Sequence, residues 1–149
     1  MCFSDDALSE QHIVISGGCG AIGLGVIKKL TDHGAKVTVN DIIEPTLAET
    51  RLRDIDIDLT RVTYVKADLT QEAGVEILID GAQEKFGSIQ TALCHIGMVI
   101  PKPLLDYEEN EWDMTMEVNV RTAFLLGKSA AQSMLKHQVA GHLIFTISW

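Results

Sequence analysis

The first feature of the sequence that could support chemistry is a glycine-rich segment near the start of the chain. The segment ISGGCGAIGLG, residues 15–25, contains five glycines and directly follows a short apolar run. Glycine is favoured where the backbone must turn tightly or approach a ligand closely, because no side chain stands in the way. If the segment joins a strand to a helix, the free N–H groups at the start of that helix can bind a diphosphate. The alternative is a tight turn that binds nothing.

Each glycine has an expected role in such a turn, and a carboxylate follows at a suitable distance. Gly17 would turn the chain, while Gly18 and Gly20 would leave the surface bare. Gly23 would let the helix pack close to the strand. Asp41 follows Gly23 by 18 residues, near the roughly 20 residues typical of an acidic side chain that binds the hydroxyls of a ribose. A solvated aspartate at the end of a strand is the simpler alternative.

Neighbouring positions bear on which dinucleotide would bind. Cys19 and Ile42 flank the expected ribose region, and neither is basic. A 2′-phosphate would meet the Asp41 carboxylate without a compensating charge, so the pattern favours NAD over NADP. Asp68, in VKADLT, is predicted either to contact the adenine or to cap the next helix, where Gln71 could complete a capping box.

Strands and helices alternate along the chain in an order that would bring these residues together. Nearly continuous apolar runs are typical of strands buried on both faces of a parallel sheet. Strands are predicted at residues 12–16, 36–41, 61–67, 89–95 and 142–148. Helices are predicted at residues 22–33, 45–54, 71–86 and 111 to about 137. This order predicts an α/β fold, a doubly wound parallel sheet with strand order 3-2-1-4-5, in a single domain spanning residues 1–149.

Composition and charge exclude several classes of protein. The chain has 149 residues, 46% of them hydrophobic, which suits one soluble α/β domain. The net charge of -9 argues against a nucleic-acid or anionic-membrane surface, since both need clustered cations. No apolar stretch suits a signal peptide or a membrane span. The three cysteines are far apart and indicate neither a metal site nor a disulfide framework, so the interpretation is a cytoplasmic protein.

The motifs resemble those of the short-chain dehydrogenases/reductases over effectively the whole length of the chain. The family's first turn, Thr-Gly-x-x-x-Gly-x-Gly, corresponds to SGGCGAIG, with Ser16 for the threonine and Ala21 for the middle glycine. Its Asp-Val or Asp-Leu pair corresponds to Asp68-Leu69, which implies an adenine contact, and its Asn-Asn-Ala-Gly corresponds to residues 94–97, where only the glycine is kept. The resemblance implies a Rossmann-type fold with a cofactor site formed by Ser16, Gly17, Gly18, Cys19, Ala21, Ile22, Gly23, Asp41, Ile42, Asp68, Leu69, His95, Ile96, Gly97 and Val118.

The resemblance also implies two catalytic positions. In EWDMTMEVNV, Asn119 corresponds to the family's active-site asparagine, and it is a polar residue in a strongly apolar helix. Ser148, at the end of GHLIFTIS, corresponds to the serine that donates a hydrogen bond to the substrate oxygen. The family's Tyr-x-x-x-Lys is absent, since neither Tyr64 nor Tyr107 is followed four residues later by lysine. We therefore expect these 149 residues to be the cofactor-binding part of a longer enzyme, truncated after the fifth strand, and to be inactive alone.

The resemblance implies an NAD(P)-dependent oxidoreductase that acts on a small carbonyl or alcohol and forms homo-oligomers. The expected contacts between copies are the helix at residues 111–137 and the open edge of the strand at residues 142–148. A non-catalytic nucleotide-binding or interaction module with the same fold is one alternative. An S-adenosylmethionine methyltransferase is another, because it also uses a glycine-rich turn and an acidic strand end, and cofactor titration would distinguish it.

Overall fold

The architecture is a twisted parallel sheet with helices on both faces. The computed structural model describes residue 4 and residues 6–147. Its strands are β1 (His12–Ser16), β2 (Lys36–Asp41), β3 (Val62–Lys66), β4 (Thr91–Cys94) and β5 (His142–Phe145). They pair in parallel in the order β3-β2-β1-β4-β5. The predicted fold class and strand order are therefore confirmed.

The helices lie between the strands in sequence and begin and end for local reasons. They are α1 (Ala21–Asp32), α2 (Pro45–Asp54), α3 (Glu72–Phe86), α4 (Glu109–Met116) and α5 (Thr122–Lys136). Pro45 occupies the first turn of α2, where its missing N–H costs no helical bond. After α1, Gly34 has a φ of 89°, a left-handed conformation that ends the helix and that other residues rarely adopt.

Two apolar cores, one on each face of the sheet, hold the helices in place. Alternate side chains of β1 point to opposite faces, so Val14 joins one core while Ile13 and Ile15 join the other. The first core also contains residues of α3 and α5, among them Leu78, Ile79, Leu125 and Leu126. The second contains residues of α1 and α2, among them Ile27, Ala48 and Leu52. Burial on both faces explains why the apolar runs of the strands are nearly continuous.

The long helix predicted at residues 111–137 has an interruption that the sequence did not indicate. A π-helical turn, Glu117–Arg121, separates α4 from α5. The helical region also starts earlier than predicted, at Glu109. Glu108 and Glu111 form a reciprocal capping box there, which satisfies two otherwise free N–H groups. The π turn contains Asn119, and such turns occur frequently at functional sites.

The sheet is less uniform at its edges than the sequence predicts. β3 and β4 are shorter than the predicted strands at residues 61–67 and 89–95, and β5 ends at Phe145. Each residue of β5 is exposed, because no helix or strand of the described residues covers its outer side. Across the described part of the chain, no helix is both long and apolar enough to cross a membrane.

A buried histidine lies at the amino end of β1. His12 is 2% exposed; its Nε2 lies 2.8 Å from Thr38 Oγ1, and its Nδ1 lies 3.2 Å from Gly87 O. Burial lowers the pKa of His12 from its ordinary value of 6.5, and the positive charge of Lys36 lowers it further, against the opposing effect of the Gly87 carbonyl. The imidazole is therefore neutral in the folded protein near neutral pH.

This histidine should make stability depend on pH just below neutrality. Because the folded pKa is lower than 6.5, the unfolded chain takes up a proton first as the pH falls through that value. The free energy of unfolding should then decrease with falling pH, by at most about 1.4 kcal/mol per pH unit, until the folded pKa is reached. Urea denaturation between pH 7.5 and 5.5 should show this slope, and His12→Gln should reduce it. The exposed His137→Gln is the control, and an equal slope in the wild type and His12→Gln would contradict the assignment.

Candidate cofactor site

The glycine-rich turn lies between β1 and α1, at the carboxyl edge of the sheet. Gly17 has a φ of 64°, and a Cβ there would lie 3.0 Å from Ile96 Cα. Both observations account for glycine at this position. A Cβ at Gly23 would lie 2.6 Å from Gly18 O, so the close contact that requires glycine here is between α1 and the turn, whereas the sequence predicted a contact with the strand.

Gly20 gives the turn its open side. It precedes α1 with a φ of −72° and a ψ of 164°, values that any residue can adopt. A Cβ there would meet only Gly17 O, at 3.5 Å. No side chain among the described residues caps α1, so N–H groups of its first turn face this open space without a side-chain partner. A space of this kind, bounded by backbone donors, fits a diphosphate.

Two residues of the expected cofactor site, Gly18 and Leu69, are buried. Gly18 was expected to leave the surface bare, but it is buried, and a Cβ there would lie 2.7 Å from Val39 Cγ1. Its glycine is needed for packing against β2. Leu69 is 1% exposed and belongs to the core beside α3. Only backbone atoms of these two residues can contribute to a cofactor site.

Ser16 joins the end of β1 to the loop after β4. Its Oγ accepts hydrogen bonds from the N–H groups of His95, at 3.0 Å, and Ile96, at 3.2 Å. The fully buried hydroxyl thereby holds the loop beside the glycine-rich turn. The gap between these loops lies where the strand order reverses, which is where open α/β sheets bind ligands. Ser16 is therefore a positioning residue of the site.

Asp41 ends β2 on the other side of the turn. Its Oδ2 accepts a hydrogen bond from Cys19 N–H at 3.2 Å, and its Oδ1 accepts one from Ile42 N–H at 2.8 Å. Each carboxylate oxygen has further acceptor capacity, so the half-buried group can still bind hydroxyls. The Tyr64 hydroxyl donates to Asp41 O at 3.0 Å and supports the backbone here. The geometry fits a ribose contact beside the turn.

A basic residue near Asp41 was missed by the sequence analysis. Arg51, on α2, donates a hydrogen bond from Nη1 to Cys19 O at 3.0 Å. We expected no positive charge to compensate Asp41 because the adjacent positions, Cys19 and Ile42, are not basic. Arg51 lies 32 residues from Cys19 in sequence, and no short-range motif indicates the contact.

The cysteine of the turn is a structural residue. Cys19 is 1% exposed and packs in the core beside α1 and α2. Burial first, and the Asp41 carboxylate second, raise the pKa of the Cys19 thiol to about 11 against the opposing effect of Arg51. The thiol therefore stays protonated near neutral pH and is a poor nucleophile. Its contribution to the site comes from its backbone N–H and carbonyl.

Asp68 lies after β3 and does not cap the following helix. Its Oδ1 accepts hydrogen bonds from Thr70 N at 3.0 Å and Thr70 Oγ1 at 2.8 Å. The residue before α3 is Gln71, and α3 receives no side-chain cap within the described region. The predicted capping box is therefore wrong, because a local turn occupies the aspartate. Asp68 remains exposed, so the alternative of an adenine contact stays a prediction.

Asn119 holds the loop after β4 from the helical side. Its Oδ1 accepts from Met98 N–H at 2.7 Å, and its Nδ2 donates to Met98 O at 2.8 Å. The side-chain amide thus pairs with one residue's backbone in both directions. The π turn shifts the helical register at this position. The amide is committed to Met98, so the structure gives Asn119 a positioning contact, and a contact with the reacting groups stays a prediction.

The other residues of the predicted site lie at its rim or beyond it. Ile22, Ile42 and Gly97 are exposed beside the turn and the loop, and Val118 is half-buried in the π turn next to Asn119. His95 Nδ1 lies 2.9 Å from Thr146 Oγ1, and this hydrogen bond connects the ends of β4 and β5. Ser148 lies outside the described residues.

Neither tyrosine is placed to transfer a proton. The Tyr64 hydroxyl lies 2.6 Å from Ile43 O and 3.0 Å from Asp41 O, so these two carbonyls share its one proton. Burial raises the pKa of its phenol above the ordinary range. The Tyr107 hydroxyl donates to Ile100 O. Lys102 lies over the ring of Tyr107, 5.7 Å from its centroid, and forms an ion pair with Glu111. Both hydroxyls are engaged with backbone carbonyls.

Comparison with known proteins agrees with the geometry. Residues 11–149 match the family model for short chain dehydrogenases. Short-chain dehydrogenase reductase 5 of Arabidopsis thaliana is 32% identical over 146 residues, which cover 97% of this chain and 55% of that protein. Short chain aldehyde dehydrogenase 1 of Euphorbia lathyris is 31% identical and is covered over 52% of its length. The chain thus spans about half the length of the curated relatives it matches.

A solved structure supports the fold independently. A short chain dehydrogenase from Bacillus anthracis superposes with a TM-score of 0.88 at 18% identity, covering 94% of this chain and 58% of that one. At this identity the likeness concerns the fold alone. The fold is therefore that of a known architecture.

Proposed function

The chain belongs to the short-chain dehydrogenase family, and from that premise we propose that it forms the NAD-binding part of an oxidoreductase. A bound nicotinamide would exchange a hydride with a carbonyl or alcohol carbon of a small substrate. The observation that carries the proposal is the open space at Gly20, bounded by the uncapped start of α1. That space would hold the diphosphate, and Asp41 would hold a ribose beside it.

The chain's own residues would orient the cofactor without taking part in bond changes. Ser16 and Asn119 fix the backbone of the loop after β4, which would form the wall on the nicotinamide side. Asp41 would accept hydrogen bonds from both ribose hydroxyls, which favours NAD over its 2′-phosphorylated form. Ser148 would donate a hydrogen bond to the substrate oxygen by family resemblance.

A non-catalytic nucleotide-binding module is the second candidate. The replacement of the family's two asparagines by Cys94 and His95 favours it, since Cys94 is buried with its thiol pKa raised to about 11 by burial. His95 is tied to Thr146. Cofactor binding without turnover by a chain that also contains the family's Tyr-x-x-x-Lys segment would distinguish this candidate from the enzyme.

Binding at the glycine-rich turn can be tested without disturbing the fold. In Gly20→Asp, the new carboxylate should cap α1 and occupy the donors that would hold the diphosphate. We expect a melting temperature equal to or above that of the wild type, and NAD affinity weakened at least about ten-fold, as for a lost charge-assisted hydrogen bond. Isothermal titration calorimetry measures the affinity. Gly25→Asp adds the same charge to α1 where a Cβ has open space and is the matched control; NAD binding unchanged in Gly20→Asp would contradict the site.

Turnover should be absent from the 149 residues alone. Both tyrosines donate their hydroxyl protons to backbone carbonyls, and no Tyr-x-x-x-Lys occurs in the sequence. A spectrophotometric assay of NADH formation at 340 nm, a wavelength fixed by the cofactor, with a panel of small alcohols should therefore give no rate above that of the Gly20→Asp variant. A rate that depends on Gly20 would contradict the expectation.

Association with a second copy is proposed through the outer face of the long helical region. Trp112, Met116, Val120 and Phe124 follow one another at four-residue spacing and are 56%, 39%, 52% and 62% exposed. They form a stripe, three of whose members line a groove of about 520 Å³. Apolar patches of this kind mark interaction surfaces.

The association is tested by a charge at the C-terminal end of this stripe. Phe124→Glu should shift the mass measured by light scattering towards that of one chain, because two copies would bury the new carboxylates against apolar surface. Ile77→Glu, on the exposed side of α3, is the control. A wild-type protein that is monomeric at high concentration would exclude the assembly.

A further inference from the structure

Arg51 lies beside the ribose end of the proposed site, and its one hydrogen bond leaves most of its N–H donors without a partner in the described part of the chain. Arg51 is exposed on α2 and donates one hydrogen bond, from Nη1 to the carbonyl of Cys19. A guanidinium has five N–H donors in a planar fork. Most of the donors of Arg51 are therefore available while the bond to Cys19 is kept.

Cys19 brings this cation and Asp41 to the same place. Its N–H donates to Asp41 Oδ2 at 3.2 Å and its carbonyl accepts from Arg51 Nη1 at 3.0 Å. Because one residue's N and O are only a few ångströms apart, the guanidinium lies within about 10 Å of the carboxylate. A phosphate on a ribose oxygen that lies about 3 Å from Asp41 is within reach of this long side chain.

The neighbouring cations are already neutralised. Lys66, which pairs in register with Asp41, forms an ion pair with Glu44 at 2.5 Å. Arg53, on the same helix as Arg51, forms one with Glu49 at 2.5 Å. In the part of the chain that the structure describes, no carboxylate forms an ion pair with Arg51. Arg51 is thus the cation at this end of the site with its charge uncompensated.

We propose that Arg51 sets the dinucleotide specificity of the site by binding a 2′-phosphate beside Asp41, so that NADP binds in addition to NAD. The inference rests on the proposed function, because it needs the adenosine ribose at Asp41. The Asp41 carboxylate repels the phosphate dianion, whereas the guanidinium attracts it through charge-assisted and bidentate hydrogen bonds. NAD remains the tighter ligand, and NADP binds with a moderate penalty instead of being excluded.

The experiment isolates the 2′-phosphate by using half-cofactors. Calorimetry compares 5′-AMP with adenosine 2′,5′-bisphosphate, and NAD with NADP, on the wild type, Arg51→Met and the control Arg53→Met. Arg51→Met should weaken NADP and the bisphosphate by roughly ten-fold or more, while NAD and 5′-AMP change less than about three-fold. Arg53→Met removes the same charge two residues away and should change none of the four ligands selectively.

The outcomes separate the inference from the proposed function. Equal weakening of all four ligands by Arg51→Met would mean that Arg51 only supports Cys19 and its turn, which overturns the inference. Unchanged NADP affinity in Arg51→Met overturns it as well. If neither NAD nor 5′-AMP binds the wild type, the proposed function fails, and the inference fails with it. Melting temperatures of both variants show whether each change is confined to the site.

Two further variants should change the affinity for NADP in opposite directions. Arg51→Lys keeps the charge but loses the fork, so NADP affinity should fall between those of the wild type and Arg51→Met. Asp41→Asn removes the repulsion and should tighten NADP while weakening NAD. If Asp41→Asn weakens both dinucleotides equally, the carboxylate and Arg51 do not share the 2′ position, and the inference is wrong.

Discussion

The close approach of α1 to the turn that precedes it is the constraint on which the site depends. A side chain at Gly23 would collide with Gly18 O at 2.6 Å, and one at Gly18 would collide with Val39 of β2 at 2.7 Å. The turn is therefore held between helix and strand. This packing places the first turn of α1, which no side chain of the described residues caps, at the carboxyl edge of the sheet, and the core beneath keeps it there.

The opposite wall of the crevice is held by side chains from distant parts of the sequence. The loop after β4 has little regular structure, so its backbone needs partners elsewhere. Ser16 binds its beginning from β1, and Asn119 binds Met98 from the π turn. Each such neutral hydrogen bond is worth about 0.5–1.5 kcal/mol net. Their combined effect is to place the loop beside the glycine-rich turn, across the point where the strand order reverses.

An acidic protein that binds a dinucleotide must overcome its own charge locally. The net charge is -9, yet exposed charges farther away than roughly 8 Å are screened at physiological salt. In the proposed site, short-range donors would therefore decide the outcome: the uncapped start of α1 for the diphosphate, and Arg51 for any further anionic group. The ion pairs of Lys66 and Arg53 leave those cations with little attraction for a ligand. On the proposal above, the balance between Asp41 and Arg51 would then determine the response to a 2′-phosphate.

Local spacing in the sequence was sufficient for the order of elements and for the turn at Gly17 and Gly23. Buried strands, glycines and helix ends depend on contacts between near neighbours, so β1, β2 and α2 have the bounds that were predicted. The strand order also follows, because parallel strands joined by right-handed crossovers leave few topologies. The position of Asp41 at the end of β2 could be predicted because the bounds of that strand depend on its local sequence.

Tertiary structure alone decided the features that depend on residues far apart in the sequence. The bond between Arg51 and Cys19 spans 32 residues, and the bonds from Ser16 to the loop after β4 span 79 and 80. A cap on α3 was one of the two predictions for Asp68, but its carboxylate bonds to Thr70, since a turn and a cap compete for the same oxygen. The π turn at Asn119 was missed because the pattern at residues 111–137 was assigned to one continuous α-helix. Sequence thus determined where the cofactor site should be, and packing determined which side chains reach it.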